Sequence, residues 1–322
     1  MISPVEKGDR IGRFRVDELL ANGGMASIFR GTDVTTGAPV AIKVPFPEAE
    51  ADVVFFDRFH REIEIGKRLN HPGIVKVLDE DESGRVCMVM EWAEGRRLRE
   101  IVDEGKKMEP ARAARIAVRV CDALDYIHKQ GVVHRDLKPD NIIVDSEDRI
   151  KLLDFGIAGA AAGRRLTFGR FSRLIGTPDY MAPEQVKGKR GDGRCDVYAL
   201  GVMLYEMLTG EVPFSGANLL AAMNQRLVVR PKAPRELAPE ISPQLNEIIM
   251  RALERDPSAR YSTARAMAWD LEHQEEVELL DRSVDAPVRH RAPAAQPNWS
   301  YLGFALIPII IFALLLFVAH QH

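Results

Sequence analysis

"HRDLKPDN" (His134–Asn141) is the stretch around which the rest of the chain is read. It sets an aspartate, a lysine two residues on and an asparagine three further on inside one short segment. A carboxylate can accept a proton, an ammonium can lie against a phosphate, and an amide oxygen suits a hard divalent cation. Thirteen residues beyond Asn141 comes "DFG" (Asp154–Gly156), a second carboxylate beside a glycine. Upstream, "VAIK" (Val40–Lys43) puts Lys43 at the end of a β-branched strand, and Glu62 lies in a segment of helical spacing where the two can pair. Each piece alone is weak, since a three-letter string recurs by chance and a lone Lys–Glu pair is most often surface charge. All of them in one order describe a site for phosphates, a metal and a hydroxyl acceptor.

Ahead of Lys43 lies "ANGGMA" (Ala21–Ala26), a glycine-rich loop with its glycines partly displaced. A loop that wraps a nucleotide usually reads G-x-G-x-x-G; here Ala21, Gly23 and Ala26 stand at those positions, with Gly24 added. Glycine matters most where backbone must approach phosphate, and Gly23 holds that middle position while Gly24 keeps the tip flexible. Ala21 and Ala26 add one methyl each, so the loop reads as working.

These motifs, in this order and at these spacings, match the protein-kinase signature set. With "RFHREIEIGKRLNHPGIVKVLD", "GTPDYMAPEQ", "DVYALGVMLYEMLTGEVPF" and "DPSARY", the chain resembles the eukaryotic-like (Hanks-type) Ser/Thr protein kinases, and most of all their bacterial members. The resemblance runs from about Ile11 to Leu271. It implies an α+β, bilobal protein-kinase fold, with an N-lobe over about 11–92, a C-lobe over about 93–275, and transfer of the γ-phosphoryl of ATP to Ser/Thr hydroxyls of proteins. The alternative is a membrane-anchored pseudokinase scaffold, against which the intact Lys43, Glu62, Asp136, Asn141 and Asp154 count.

By the same resemblance Lys43 holds the α- and β-phosphates and is oriented by Glu62. Asn141 and Asp154 bind Mg²⁺, with Mn²⁺ as a substitute. Asp136 positions the substrate hydroxyl and accepts its proton, and Lys138 stabilises the phosphoryl in transfer. ATP is expected against Ala21, Asn22, Gly23, Gly24, Met25, Ala26 and Ile28 of the loop and its strands, Ala41 above the ring, Met90 as gatekeeper, the backbone of Glu91 and Ala93, and Ile143. Between Asp154 and Glu184, Thr167 and Ser172 are candidate regulatory phosphosites with Arg135 as their partner, and Thr177 belongs to the substrate loop. His134 reads as a packed histidine, Glu184 with Arg260 as a buried ion pair, and Asp196 as a tether for the catalytic-loop backbone. Autophosphorylation in trans points to a homodimer.

Composition agrees with a globular protein: 322 residues suffice for a large core, and a net charge of −3 gives no general pull toward nucleic acid. The three cysteines are far apart and lack metal-type spacing, so neither a disulfide framework nor a zinc site is expected. "CDVYALGVMLYEMLTG" (Cys195–Gly210) is apolar nearly all round and is predicted to be a buried helix, and "PARAARIAVRVCDALDYIHKQG" (Pro110–Gly131) a second helix. At the far end, "YLGFALIPIIIFALLLFVA" (Tyr301–Ala319) is apolar and uncharged, roughly 28 Å long as a helix, and predicts a single transmembrane span after a 276–300 linker. Arg282, Arg289 and Arg291 precede it and no Lys or Arg follows. That bias predicts a cytoplasmic kinase domain at the cell membrane with the C-terminus outside.

Overall fold

The structure is a computed structural model, and it describes residues 5–47, 52–78, 86–105, 107–154 and 178–280. The chain divides into two units, Met1–Leu279 and Leu280–His322. The first begins with an antiparallel sheet of β1 (Arg10–Ile11), β2 (Phe14–Asn22), β3 (Ala26–Asp33), β4 (Pro39–Pro45) and β5 (Met88–Glu91), in that order. Strand alternation decides what each face does. Val40, Ile42 and Val44 of β4 join Phe14, Val16, Phe29 and Val89 in one apolar cluster, which turns Ala41 and Lys43 to the opposite face.

That opposite face carries α1 (Val53–Arg68). Asp52 caps it by accepting from Val54 N and Phe55 N at 2.9 and 3.2 Å, and Lys67 and Arg68 complement the dipole in its last turn. Phe59 and Ile63 pack against Val75, Val77, Met88 and Met90, so a continuous apolar seam fixes the height of α1 over the sheet.

A three-stranded sheet follows, formed by β6 (Arg96–Arg97), β7 (Ile142–Val144) and β8 (Ile150–Leu152). Below it are α2 (Leu98–Val102), α3 (Pro110–Lys129), α4 (Pro183–Val186), α5 (Arg194–Thr209), α6 (Leu219–Val228), α7 (Pro234–Leu237), α8 (Pro243–Ala252) and α9 (Ala264–Glu272). As the sequence predicts, α3 starts with proline, and Gly131 ends its exit turn at φ +73°. α5 is buried on every side from Cys195 to Thr209 and stops at Gly210, φ +78°. It forms the axis of one large core with α3, α8 and α9. The three cysteines are buried.

Among the described residues no helix is long and apolar enough to cross a membrane. The expected span over 301–319 lies outside the described residues, as do Thr167, Ser172 and Thr177. Leu19 and Leu20 of β2 are 51% and 42% exposed. The β2–β3 ladder shifts register between Val16 and Glu18 and between Leu19 and Ala21.

Candidate active site

Lys43 leaves the cleft face of β4 and meets two carboxylates from distant parts of the chain. Its Nζ is 3.2 Å from Glu62 on α1 and 2.7 Å from Asp154 just beyond β8. Burial disfavours the ammonium, yet Asp154 and Glu62 outweigh it and hold the Lys43 pKa above its ordinary value. Burial pushes the Glu62 carboxyl up to about 7 against the pull of Lys43. Asp154 is also desolvated, but its closer contact with Lys43 keeps it below the usual carboxylate range. One ammonium is thus shared unequally, with Asp154 the nearer partner.

The loop His134–Asn141 runs beneath. His134 is fully buried; its Nδ1 accepts from Asp136 N at 3.4 Å and its Nε2 faces the Leu153 carbonyl at 3.3 Å. The Asp136 carboxylate is half exposed, and Lys138 Nζ donates to its Oδ2 at 2.8 Å. Asn141 is buried at the head of β7 and donates through Nδ2 to the Asp136 carbonyl at 2.9 Å. Its own carbonyl accepts from Leu153 N at 2.8 Å, which ties the residue before Asp154 to the same turn.

Arg135 adopts φ +64°, a left-handed conformation that a non-glycine residue seldom takes. Asp196, fully buried at the start of α5, accepts from the N–H groups of His134 and Arg135 at 2.9 and 2.8 Å and from His128 Nε2 at 2.8 Å. The Arg135 guanidinium donates to the carbonyls of Arg190 and Gly191, at 3.2 and 3.4 Å. Burial and the nearby charge of Arg190 hold its pKa below the ordinary value. Farther down, Arg260 forks onto both oxygens of Glu184 at 2.8 and 2.7 Å.

The glycine loop is a tight hairpin. Gly23 N donates to Ala26 O at 2.9 Å, and Ser27 Oγ donates to Asn22 Oδ1 at 2.8 Å across its base. A Cβ on Gly23 would lie 3.1 Å from Ala26 O, so glycine is favoured there by the turn itself. Met25 O accepts from Phe46 N at 2.9 Å. Ala21 pairs with Ile28 and Ala26 with Pro45, and neither has a positive φ. Behind the loop, Ile28 is register-paired with Lys43 and Ala41 with Met90, and Met90 packs onto the α1 seam. Glu91 N donates to Lys76 O at 2.9 Å. Ala93 follows β5 and is partly exposed, and Ile143 is the half-buried centre of β7.

Two networks are not visible from sequence motifs. Tyr180 O–H donates to Glu206 at 2.5 Å, and Arg99 from α2 binds the same carboxylate at 3.0 Å while also touching the Tyr180 hydroxyl. A lone glutamate inside the apolar run of α5 is the signal that points to it. Lys151 pairs with the Glu91 carboxylate, joining β8 to the end of β5, and no local spacing announces that contact.

Comparison with known proteins follows the same outline. Residues 14–271 match the Protein kinase domain family. A probable serine/threonine-protein kinase of Streptomyces coelicolor is 38% identical over 266 residues, 81% of this chain and 40% of its own length. The serine/threonine-protein kinase PknB of Mycobacterium tuberculosis is 37% identical over 276 residues, 84% of this chain and 44% of its own. This chain therefore spans about two fifths of the length of the curated relatives it matches. The crystal structure of the Mycobacterium tuberculosis PknI kinase domain superposes with a TM-score of 0.65 at 27% identity, covering 84% of this chain and all of that one.

Proposed function

The chain belongs to the protein kinase family, and on that premise we propose that it transfers the γ-phosphoryl group of Mg²⁺-ATP to serine and threonine hydroxyls of proteins. The β-sheet and helical lobes are those of the protein-kinase fold. The observation that carries the activity is the convergence of Glu62 and Asp154 on Lys43, at 3.2 and 2.7 Å. Kinase catalysis needs that lysine–glutamate pair and the metal-binding aspartate in place together.

Asn141 and Asp154 fit a magnesium site. The Asn141 amide uses its Nδ2 on Asp136, so its Oδ1 is the group left to bind a cation, and Asp154 adds a carboxylate. Two oxygen donors suit Mg²⁺, which keeps water and phosphate oxygens as its other ligands. When bound, the metal neutralises charge on the β- and γ-phosphates. Lys43 holds the α- and β-phosphates from above, beside the Gly23–Gly24 turn. The half-exposed Asp136 orients the incoming hydroxyl and takes its proton as the oxygen bonds to the γ-phosphorus and ADP departs. Lys138, 2.8 Å from that carboxylate, faces the phosphoryl in transfer. Positioning and charge stabilisation supply the acceleration.

The same reading assigns the kinase domain to about 11–275, regulation to phosphate on Thr167 or Ser172 received by Arg135, and substrate contact to Thr177. It assigns residues 276–300 to a linker and 301–319 to a membrane span with the kinase domain in the cytoplasm; the unbroken apolar run supports this. Release of the chain from membranes on deleting 301–322 is the expected result, and unchanged membrane association would reject the span.

The activity is tested by incubating the full chain with Mg²⁺-ATP beside Asp136→Asn, with sites mapped by mass spectrometry. Phosphate on Ser or Thr of the parent and none on the variant supports the kinase. ATP bound without transfer to the chain or to a generic protein substrate would leave a membrane-anchored pseudokinase scaffold.

A further inference from the structure

The three-stranded sheet under the cleft has one face that belongs to the core and one that does not. Ile142, Val144, Ile150 and Leu152 are buried, whereas Ile143 and Lys151 between them are partly exposed. Directly paired residues of neighbouring strands share a face. The pairs Arg97↔Ile143 and Ile143↔Lys151 therefore set Arg97, Ile143 and Lys151 in one row on the cleft side.

The two cations of this row are in different states. Lys151 is neutralised by Glu91. Arg97 has no ion pair and no side-chain hydrogen bond among the described residues, and its neighbours show that this is not for lack of acids. Arg96 pairs with Glu104 at 2.7 Å and Glu100 at 3.8 Å, and Arg99 with Glu206 and Asp103, each at 3.0 Å. Within "RRLR" (Arg96–Arg99), Arg97 alone keeps its guanidinium available, half-buried at the lip of the cleft.

Position decides which anion it meets. Lys43 and Asp154 gather the phosphate end of the site at the β8 edge of the sheet, 2.7 Å apart. Arg97 is on β6, the opposite edge. Asn141 immediately precedes β7, two residues from Ile143, which places the Arg97 backbone about 7 Å along and about 5 Å across from the catalytic loop. An extended chain advances about 3.3 Å per residue, so a side chain two or three residues from an acceptor hydroxyl at Asp136 spans that gap.

We propose that Arg97 is a specificity-determining residue that binds a carboxylate side chain of the protein substrate, two or three residues from the phosphoacceptor. The proposal rests on the phosphotransfer reading above and adds a substrate class to it: acidic sequences around Ser or Thr.

The test uses the full chain, Mg²⁺-ATP and a set of Ser/Thr peptides in which each of three positions on either side of the acceptor carries Glu, Gln or Lys. The parent is expected to favour Glu over Gln at one position by about tenfold in kcat/KM, the size of one charge-assisted contact. Arg97→Glu is expected to invert the preference toward Lys at that position, and Arg97→Lys to retain much of it. Each preference is a ratio within one protein, so partial misfolding does not distort it, and Arg97→Gln carries the comparison if the reversed charge is inactive. A parent with no preference for Glu, or the same preference in parent and Arg97→Glu, overturns the proposal. A change confined to the KM for ATP overturns it in favour of a nucleotide contact. A parent that phosphorylates neither itself nor any peptide fails the phosphotransfer reading, whereas one that phosphorylates itself but ignores peptide charge fails only this inference.

Discussion

The backbone N–H of Arg135 donates to the carboxylate of Asp196 at 2.8 Å, across 61 residues of sequence. Arg135 is held at φ +64°, directly before Asp136. A non-glycine residue adopts that conformation only where its surroundings overdetermine it. The surroundings here are one buried carboxylate that also accepts from His134 N and His128 Nε2. The shape of the loop that presents Asp136 is thus set by a residue on α5 that touches no substrate.

Asp196→Asn tests this. An amide offers one oxygen where the carboxylate offers two, and turns an NH₂ toward a donor. We expect kcat to fall by at least about tenfold and stability at pH 7 by about 2–4 kcal/mol, read by steady-state kinetics and urea unfolding. The effect has a defined pH dependence. Burial opposes the Asp196 charge, but the bond from His128 and its other donors outweigh it and lower the pKa from the ordinary 3.8. A depressed carboxylate contributes its full stability above the unfolded value and loses it as pH falls through the folded one. The gap between parent and variant is therefore constant near neutrality and closes on acidification below about pH 4. A gap that stays constant to pH 2 would show that the charge is not what the loop depends on.

Arg260 yields a second prediction, since all five of its N–H groups are used. Beyond the fork onto Glu184, it donates to the carbonyls of Glu254, Arg194 and Arg255 at 2.7, 3.1 and 3.2 Å, with none of its side chain exposed. Lysine keeps the charge but has three donors and no plane. Arg260→Lys is expected to cost about 3 kcal/mol in urea unfolding, and Glu184→Gln a comparable amount. In the double variant the two losses are less than additive. Full additivity would mean that the two side chains act independently.

These two buried contacts show what a sequence can and cannot reveal about this chain. "DVYALGVMLYEMLTG" announces a buried helix because its apolar residues leave no polar face, and the chemistry-bearing groups of "HRDLKPDN" stand within eight residues of one another. Alternation in "VAIK" suffices to turn Lys43 away from Val40 and Ile42. The failures arise where local pattern is overruled from elsewhere. Two register shifts interrupt the β2–β3 ladder, and no residue there marks them. Lys151–Glu91 and Arg99–Glu206 join residues 60 and 107 apart, so only the assembled fold defines them.

The altered glycine loop can be tested in both directions. Ala21 pairs with Ile28 next to a register shift in the ladder, yet it has no positive φ. Restoring glycine there adds freedom without relieving strain, and Ala21→Gly is expected to change the KM for ATP less than about threefold while costing about 0.5–1 kcal/mol of stability. Gly23→Ala places a methyl 3.1 Å from Ala26 O and forces the hairpin to shift. It is expected to raise the KM for ATP about tenfold, a cost of about 1.4 kcal/mol. Equal KM values for parent and Gly23→Ala would remove the loop from the nucleotide site.

Gly66 provides the most direct test of how α1 is coupled to Lys43. It lies one turn beyond Glu62, and a Cβ there would be 2.3 Å from Val77 Cγ2, on the segment that bridges to Met90. Valine is stiff at χ1 and has no long side chain to swing aside, so Gly66→Ala must lift α1 off the sheet and draw Glu62 away from Lys43. The expected outcome is a fall of about tenfold in kcat/KM, with helix content unchanged by circular dichroism. Val77→Ala alone removes packing from a buried position and is expected to cost about 1–3 kcal/mol. Combined with Gly66→Ala it reopens the space the new methyl needs, so the double variant should regain activity that Gly66→Ala lost. A double variant no more active than Gly66→Ala would mean that the height of α1 over the sheet does not govern the reach between Glu62 and Lys43.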